Sequence, residues 1–227
     1  MAQQTEQPAE PGSVHIDVIS DVVCPWCYIG KRRLESAMAL TPGVAIDINW
    51  RPYFLNPWIP REGIDRNTYL ETKFGSVARY AAIAERVAAA AAAEGLVYAP
   101  DKMSRQPNTL DCHRLIRWAH GAADPARVKQ RLMDLYFAEG ADLSDRDVLV
   151  QAAKDCGLDG DLVRRLLAGE DDVERVTSEA NAAKDAGIDG VPTFIFDSSL
   201  LLTGAQPPDF LATAIARAAG QQTKATA

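Results

Sequence analysis

The stretch SDVVCPWCYIGKRRLE, residues 20–35, sets two cysteines three positions apart, between a short apolar run and a basic segment with helical spacing. Cys24 and Cys27 admit three readings: half of a zinc site, a pair of small core residues, or a pair that opens and closes during a reaction. Zinc requires four ligands, and no second CxxC or HxxxH pair follows. Cys112 and His113 are sequence neighbours that do not readily face one ligand shell, and Cys156 stands alone. A core pair belongs on an apolar face, whereas Pro25-Trp26 marks a turn; proline is favoured where a helix begins because its missing N–H would have gone unpaired. The reactive reading has a direct cause. A sulfur at a helix start faces unpaired N–H groups and the positive end of the helix dipole. Both favour thiolate, so Cys24 is expected to titrate below ~8.5, the value of a free cysteine. Thiolate is the attacking species and the better leaving group. Cys27, one turn later, is expected to be more buried and more thiol-like, suited to resolve a mixed disulfide. Lys31, Arg32 and Arg33 either assist the thiolate or form a solvated helix face, Asp21 either tunes Cys24 and moves protons or is a simple turn former, and Trp26 reads as a partly exposed turn residue.

Working outward, VHIDVIS (14–20) alternates at period two, as a half-buried strand does. Ile29, Leu34, Ala37, Met38 and Leu40 keep helical spacing up to Pro42-Gly43. VAIDINWRPYF (44–54) reads as a second strand. From about residue 65 the character turns helical, starting with SVARYAAIAERVAAAAAAEGL (76–96), which is almost pure helix former. Further helices are expected at 108–121, with Asn108 as N-cap, and at 124–140, opened by Asp-Pro. Others follow over 144–157, 160–168 and 172–187. Strand character returns at PTFIF (192–196) and LLLTGA (200–205), before a last helix over 207–220. The expected fold is therefore α/β, a β-α-β half and a β-β-α half of one sheet separated by a large all-helical insertion. The discontinuous domain covers 14–64 and 188–220 and the insertion 65–187. Residues 1–13, rich in Gln, Glu and Pro, are expected to be a disordered leader, and 221–227 a flexible tail.

The 227 residues are 47% hydrophobic and carry a formal net charge of −7, which argues against electrostatic binding to nucleic acid or an acidic membrane surface. No apolar stretch approaches the roughly 20 residues a membrane span needs, and no secretion signal is read at the start. A cytoplasmic setting is expected, where a disulfide is catalytic or transient rather than structural. Four cysteines are too few and too scattered for a stapled secreted scaffold.

DGVPTFIF (189–196) supplies the second half of a site. X–Pro bonds adopt cis far more readily than other peptide bonds, and a proline closing over the dithiol would leave the Val191 backbone free to pair with an extended substrate strand. The bland reading is a proline opening a strand. Together CPWCYIGKRRLE, NTLDCHRLIRWA (108–119), GVPTFIF and TGAQPP (203–208) resemble the DsbA-like thioredoxin-fold proteins of the FrnE type, over about residues 14–219. The resemblance implies a thioredoxin-like fold and a thiol–disulfide oxidoreductase. Cys24 is then the nucleophile, Cys27 the resolving residue, and Pro192 shapes the docking loop. It implies no cofactor or metal beyond the cysteine pair, and protein or peptide disulfides and thiols as partners, with glutathione admitted as co-substrate; the chain would be a monomer or homodimer. The same superfamily holds 2-hydroxychromene-2-carboxylate isomerases and kappa-class glutathione transferases, which have serine where Cys24 stands. A glutathione-dependent isomerase or transferase acting on a small aromatic or polyketide compound is accordingly the alternative, and a peptide-binding module without catalysis the third. The resemblance places Asn108, His113 and Arg114 along a substrate groove, beside Pro25, Trp26 and Val191. Cys112 departs from the family's small residue and reads as core or else as a third redox partner, and Cys156 as structural, with a pairing to Cys112 left open; the aromatics Tyr28, Tyr53, Phe54 and Trp58 read as core.

Overall fold

A computed structural model describes residues 13–225, with side chains to residue 220; the expected leader, Ser13 apart, and the last two residues lie outside them. β1 (Val14–Ser20) is central in a four-stranded sheet of order β2-β1-β5-β6. Its flanks explain why Val14, Ile16 and Val18 are fully buried. β2 (Ile46–Pro52) runs parallel to it in register from Val14 opposite Ile46 to Ser20 opposite Pro52. β5 (Thr193–Phe196) runs antiparallel on the other side, Ile16 opposite Phe196 and Ile19 opposite Thr193. β6 (Leu200–Thr203) completes the edge. This register has a functional consequence: the segment that leaves β1 and the segment that enters β5 meet at one end of the sheet.

α1 (Pro25–Ala39) crosses from β1 to β2 and starts with Pro25 in its first turn and Cys24 as N-cap. Residues 27 to 31 are all buried. No single amphipathic stripe spans five consecutive positions, so this half of α1 is enclosed on all sides. The face read as solvated is corrected at Lys31, which is buried in a contact with Glu35 and a 3.0 Å bond to Gln130. One wall is α9 (Pro208–Ala225). That helix runs through 221–225, correcting the expected flexible tail; Gln221 to Ala225 contain no breaker, and Gly220 alone costs only ~1 kcal/mol in a helix.

The other wall comes from the inserted segment. It comprises α2 (Arg66–Phe74), α3 (Val77–Ala93), α4 (Leu110–Trp118), α5 (Pro125–Asp134), α6 (Arg146–Asp155), α7 (Gly160–Ala168) and α8 (Val173–Asp185). Side chains of Asp65, Ser76, Asp124, Asp145 and Asp159 cap five of these by accepting early N–H bonds. α5 passes into a π-helical turn, Leu135–Glu139, that stops at Gly140 with φ +75°. The block is not wholly helical: β3 (Ile64–Asp65) pairs with β4 (Arg105–Gln106), two residues each and too short to leave a periodic signal. One hydrophobic cluster joins Cys27, Ile29 and Leu34 of α1 to Val128, Leu132 and Phe137 of the insertion and Ile215 of α9.

Candidate active site around the cysteine pair

Backbone geometry places Cys24 where the helix begins, at φ −88° and ψ 113°. Its own N–H donates to Asp21 O at 3.2 Å, and its carbonyl accepts from the N–H of Cys27 at 3.0 Å. All four cysteines are free thiols. The sulfur of Cys24 lies 3.5 Å from the carbonyl oxygen of Val191, to which its thiol donates. The Val191–Pro192 peptide is cis. Thr193 Oγ1 donates to Gly190 O at 2.8 Å and Gly204 N to Pro192 O at 2.7 Å, fixing this loop from both ends. Gly30 lets α1 come close: a Cβ there would sit 2.8 Å from Pro192 Cγ and 3.4 Å from Phe194 Cζ.

The two thiols are shifted in opposite directions. A hydrogen bond from the Cys27 thiol lowers the Cys24 pKa, against burial; the N–H groups of Cys27 and Trp26 add to the lowering and Asp21 opposes it. The largest cause is thus the neighbouring thiol rather than the helix start alone. Cys27 is pushed well up by burial, by its bond to Cys24 and by that neighbour's charge, with the Asp21 backbone and Lys129 pulling the other way. Exposure hardly separates them, at 4% for Cys24 and 2% for Cys27. The expected contrast in burial therefore gives way to one of hydrogen-bond role, donor against acceptor. Trp26 beside them is 39% exposed.

Beneath the pair lies a buried polar group of Asp21, His113 and Lys129. Asp21 is not a simple turn former: its carboxyl accepts from Leu55 N at 2.8 Å and lies 3.4 Å from His113 Nε2. His113 is buried, and burial lowers its pKa against the pull of Asp21. It therefore supports the cysteine loop from below instead of lining a groove. Lys129 of α5 is 1% exposed, and burial brings its pKa from 10.5 to about 8, with Cys27 and Asp21 resisting. Lys129 occupies a position in helical phase with Met133 and Tyr136, both buried, where an apolar residue is the norm.

The groove assignment of Arg114 and the N-cap assignment of Asn108 are corrected. Arg114 is fully buried, with its guanidinium bonded to Asp111 and to the carbonyls of Leu166, Gly169 and Asp171. It ties α4 to the last turn of α7 and to the loop before α8. Asn108 is not the N-cap, which is Thr109; it donates to Ile59 O at 2.7 Å and accepts from Leu110 N at 2.9 Å. Lys73 of α2 senses the charge of Cys24 and of Asp21 and bonds Asn56. Trp58, read as core, is largely exposed and stacks on Tyr69 at 6.1 Å. Cys112 is fully buried, which pushes its thiol up, and Cys156 is buried at the end of α6. Among the described residues no group of three His, Cys, Asp or Glu side chains is arranged to hold a metal, and no helix is long and apolar enough to cross a membrane.

A family model described as DSBA-like thioredoxin domain matches residues 15–216. The uncharacterized protein YwbO of Bacillus subtilis (strain 168) is 27% identical over 205 residues, covering 89% of this chain and 96% of that one. The crystal structure of a probable DsbA oxidoreductase from Streptomyces coelicolor superimposes with a TM-score of 0.82 at 31% identity, over 91% of this chain and 90% of that one. The cytosolic disulfide reductase DsbM of Pseudomonas aeruginosa, solved with GSH, does so with a TM-score of 0.66 at 16% identity, over 89% and 98%.

Proposed function

The chain belongs to the DSBA-like thioredoxin family, and from that premise we propose that it is a cytoplasmic thiol–disulfide oxidoreductase acting on protein or small-thiol disulfides. One observation carries the reading: Cys24 stands at the start of α1 as acceptor of its neighbour's thiol hydrogen, 3.5 Å from the Val191 carbonyl. An acceptor sulfur is the one that ionises first, and the thiolate is what attacks. Cys24 attacks a substrate disulfide and forms a mixed disulfide; one substrate sulfur leaves as thiolate. Cys27, adjacent and protonated until then, gives its proton to solvent and attacks Cys24 as thiolate, and the second substrate sulfur leaves as thiolate. Run backwards, the same steps oxidise a substrate dithiol. The Val191 backbone, at the rim of the pair, is placed to meet an extended substrate segment. The exposed Trp26 offers apolar contact there, and the small thiol glutathione is among the substrates proposed. A reducing compartment keeps the pair in the dithiol form.

Insulin-disulfide reduction tests this. Cys24→Ser is expected to abolish turnover, while Cys27→Ser should stall with substrate attached to Cys24, visible as a mass increase reversed by reductant. A Cys24→Ser protein as active as the parent ends the proposal.

A further inference from the structure

Trp58 has no part in the exchange steps, yet the chain places it beside them. The segment that follows β2 returns to the cysteine loop: Leu55 N donates to the Asp21 carboxylate at 2.8 Å, and the N–H of Cys24 donates to Asp21 O at 3.2 Å. Leu55 and Val191 both pack on the cluster of Ile19, Tyr53 and Ile188, and the Val191 carbonyl lies 3.5 Å from the Cys24 sulfur. Directly after Leu55, the N–H of Ile59 donates to Asn56 O at 3.2 Å. Residues 56–59 therefore make a tight turn, with Pro57 at its second position and Trp58 at its third, and the ends of such a turn lie within ~7 Å of each other. Trp58 is thus held within one turn of the residue bonded to Asp21, on the same side of the site as Val191.

Its ring is fixed without being covered. One face lies on Tyr69 of α2, with centroids 6.1 Å apart and planes 17° from parallel. Tyr69 is buried and meets Phe74 edge-on at 6.0 Å, so the support is itself anchored. Trp58 nonetheless stays 48% exposed, and Trp26, next to the same sulfur, is exposed as well. A tryptophan whose rotamer is already locked loses little freedom when a partner covers it, which is why such residues dominate interfaces. Charge selects what can lie on it. Arg66 and Lys73 sit over the Tyr69 ring at 5.1 Å and 5.7 Å from its centre. A further cation stacked on the adjoining indole would meet both of them, whereas an uncharged ring would not.

We propose that Trp58 is a specificity-determining residue of the exchange, stacking on an uncharged aromatic side chain that flanks the cysteine of an extended peptide substrate. The proposal rests on the exchange reading above and names its substrate class: unfolded protein segments with an aromatic residue a few positions from the reacting cysteine. An extended strand advances about 3.3 Å per residue, so a peptide lying along the Val191 backbone carries such a ring across the turn at 56–59. Glutathione has no aromatic side chain and cannot fill this position. The bonds made and broken are those of the exchange already described. The stack forms when the peptide binds and persists through attack, so it lowers KM rather than raising kcat.

Symmetrical disulfides of short peptides test this, reduced with a small aliphatic dithiol as electron donor and followed by chromatography. Phe, Ala or Arg is placed in turn at successive positions on either side of the cysteine. In the parent, at one position or more, the Phe peptide should have a KM about tenfold below that of the Ala peptide, a modest value for an aromatic contact at an interface. The Arg peptide should do no better than Ala. In Trp58→Ala the ratio of Ala to Phe KM values should fall to about one, and Trp58→Phe, which keeps a ring on Tyr69, should recover most of it. No Phe advantage at any position in the parent, an equal advantage for Arg, or a Phe advantage that survives in Trp58→Ala overturns the proposal. The three-peptide comparison in the parent decides the matter even if the Trp58→Ala protein does not fold. A parent that reduces none of these disulfides would instead overturn the exchange reading itself, so the two failures are distinct.

Discussion

Replacing Lys129 by Met should make the protein more stable, by an amount that depends on pH. Burial moves this amine from 10.5 to about 8, and each pH unit of such a difference corresponds to about 1.4 kcal/mol, so the folded chain carries a penalty of about 3 kcal/mol when the amine is charged in both states. The direction is fixed by linkage. Between about pH 8 and pH 10.5 the unfolded chain holds a proton that the folded chain has lost, so stability of the parent rises with pH across that window. Below it the whole penalty applies; above it none does. Methionine preserves much of the stem's packing, and replacing a buried charge by an apolar group of similar size is often stabilising. Loss of the attraction to the Trp50 ring offsets roughly 1 kcal/mol. The expected gain is therefore about 2 kcal/mol near pH 7, shrinking to nothing or reversing near pH 10. Urea unfolding of both proteins under reducing conditions at the two pH values measures it. A Lys129→Met protein less stable at pH 7, or a difference that ignores pH, would show that the amine is not held charged against burial.

Two further outcomes follow from contacts near the site. Gly30→Ala adds a methyl 2.8 Å from the Pro192 ring; the gain of ~1 kcal/mol in helix propensity is outweighed by an overpacking cost of about 1–3 kcal/mol. Stability should be unchanged or lower and insulin reduction slower, and an unaltered rate would mean that the loop over the cysteines does not depend on this approach. Arg114→Ala leaves Asp111 and three carbonyls short of their donor, and should cost about 3–5 kcal/mol in urea unfolding. A substrate-groove role would instead raise KM in a protein of parental stability.

The sheet and the helix that carries the cysteines were legible because their signals are local: alternation over Val14–Ser20, a proline at the first helical position, a β-rich run after Pro192. Juxtaposing the two loops needed only the order of strands around β1. What lies under the pair was hidden for the opposite reason. Asp21 looks like any aspartate in a turn until Leu55 and His113 fold onto it. Lys129 looks like a surface lysine unless its phase with Met133 and Tyr136 is taken literally, and its real neighbour, Trp50, is distant in sequence. Arg114 misled because it is charged, and charged residues are almost never buried unless paired; its partners are largely main-chain carbonyls at the end of α7 and just after it, which leave no mark in a sequence. The pair β3 and β4 fell below the length at which alternation can be read.

The shared hydrophobic cluster changes how the chain can be cut. Deleting the segment between β2 and β5 on paper yields a tidy miniature, yet the excision would strip Tyr28 of Asp134 and Phe137, Lys31 of Gln130 and Arg33 of Glu94. The helix bearing the sulfurs would be left bare along one side. Any minimal scaffold derived from this protein must therefore retain α3 and α5 as a splint, or redesign that side of α1 for contact with water.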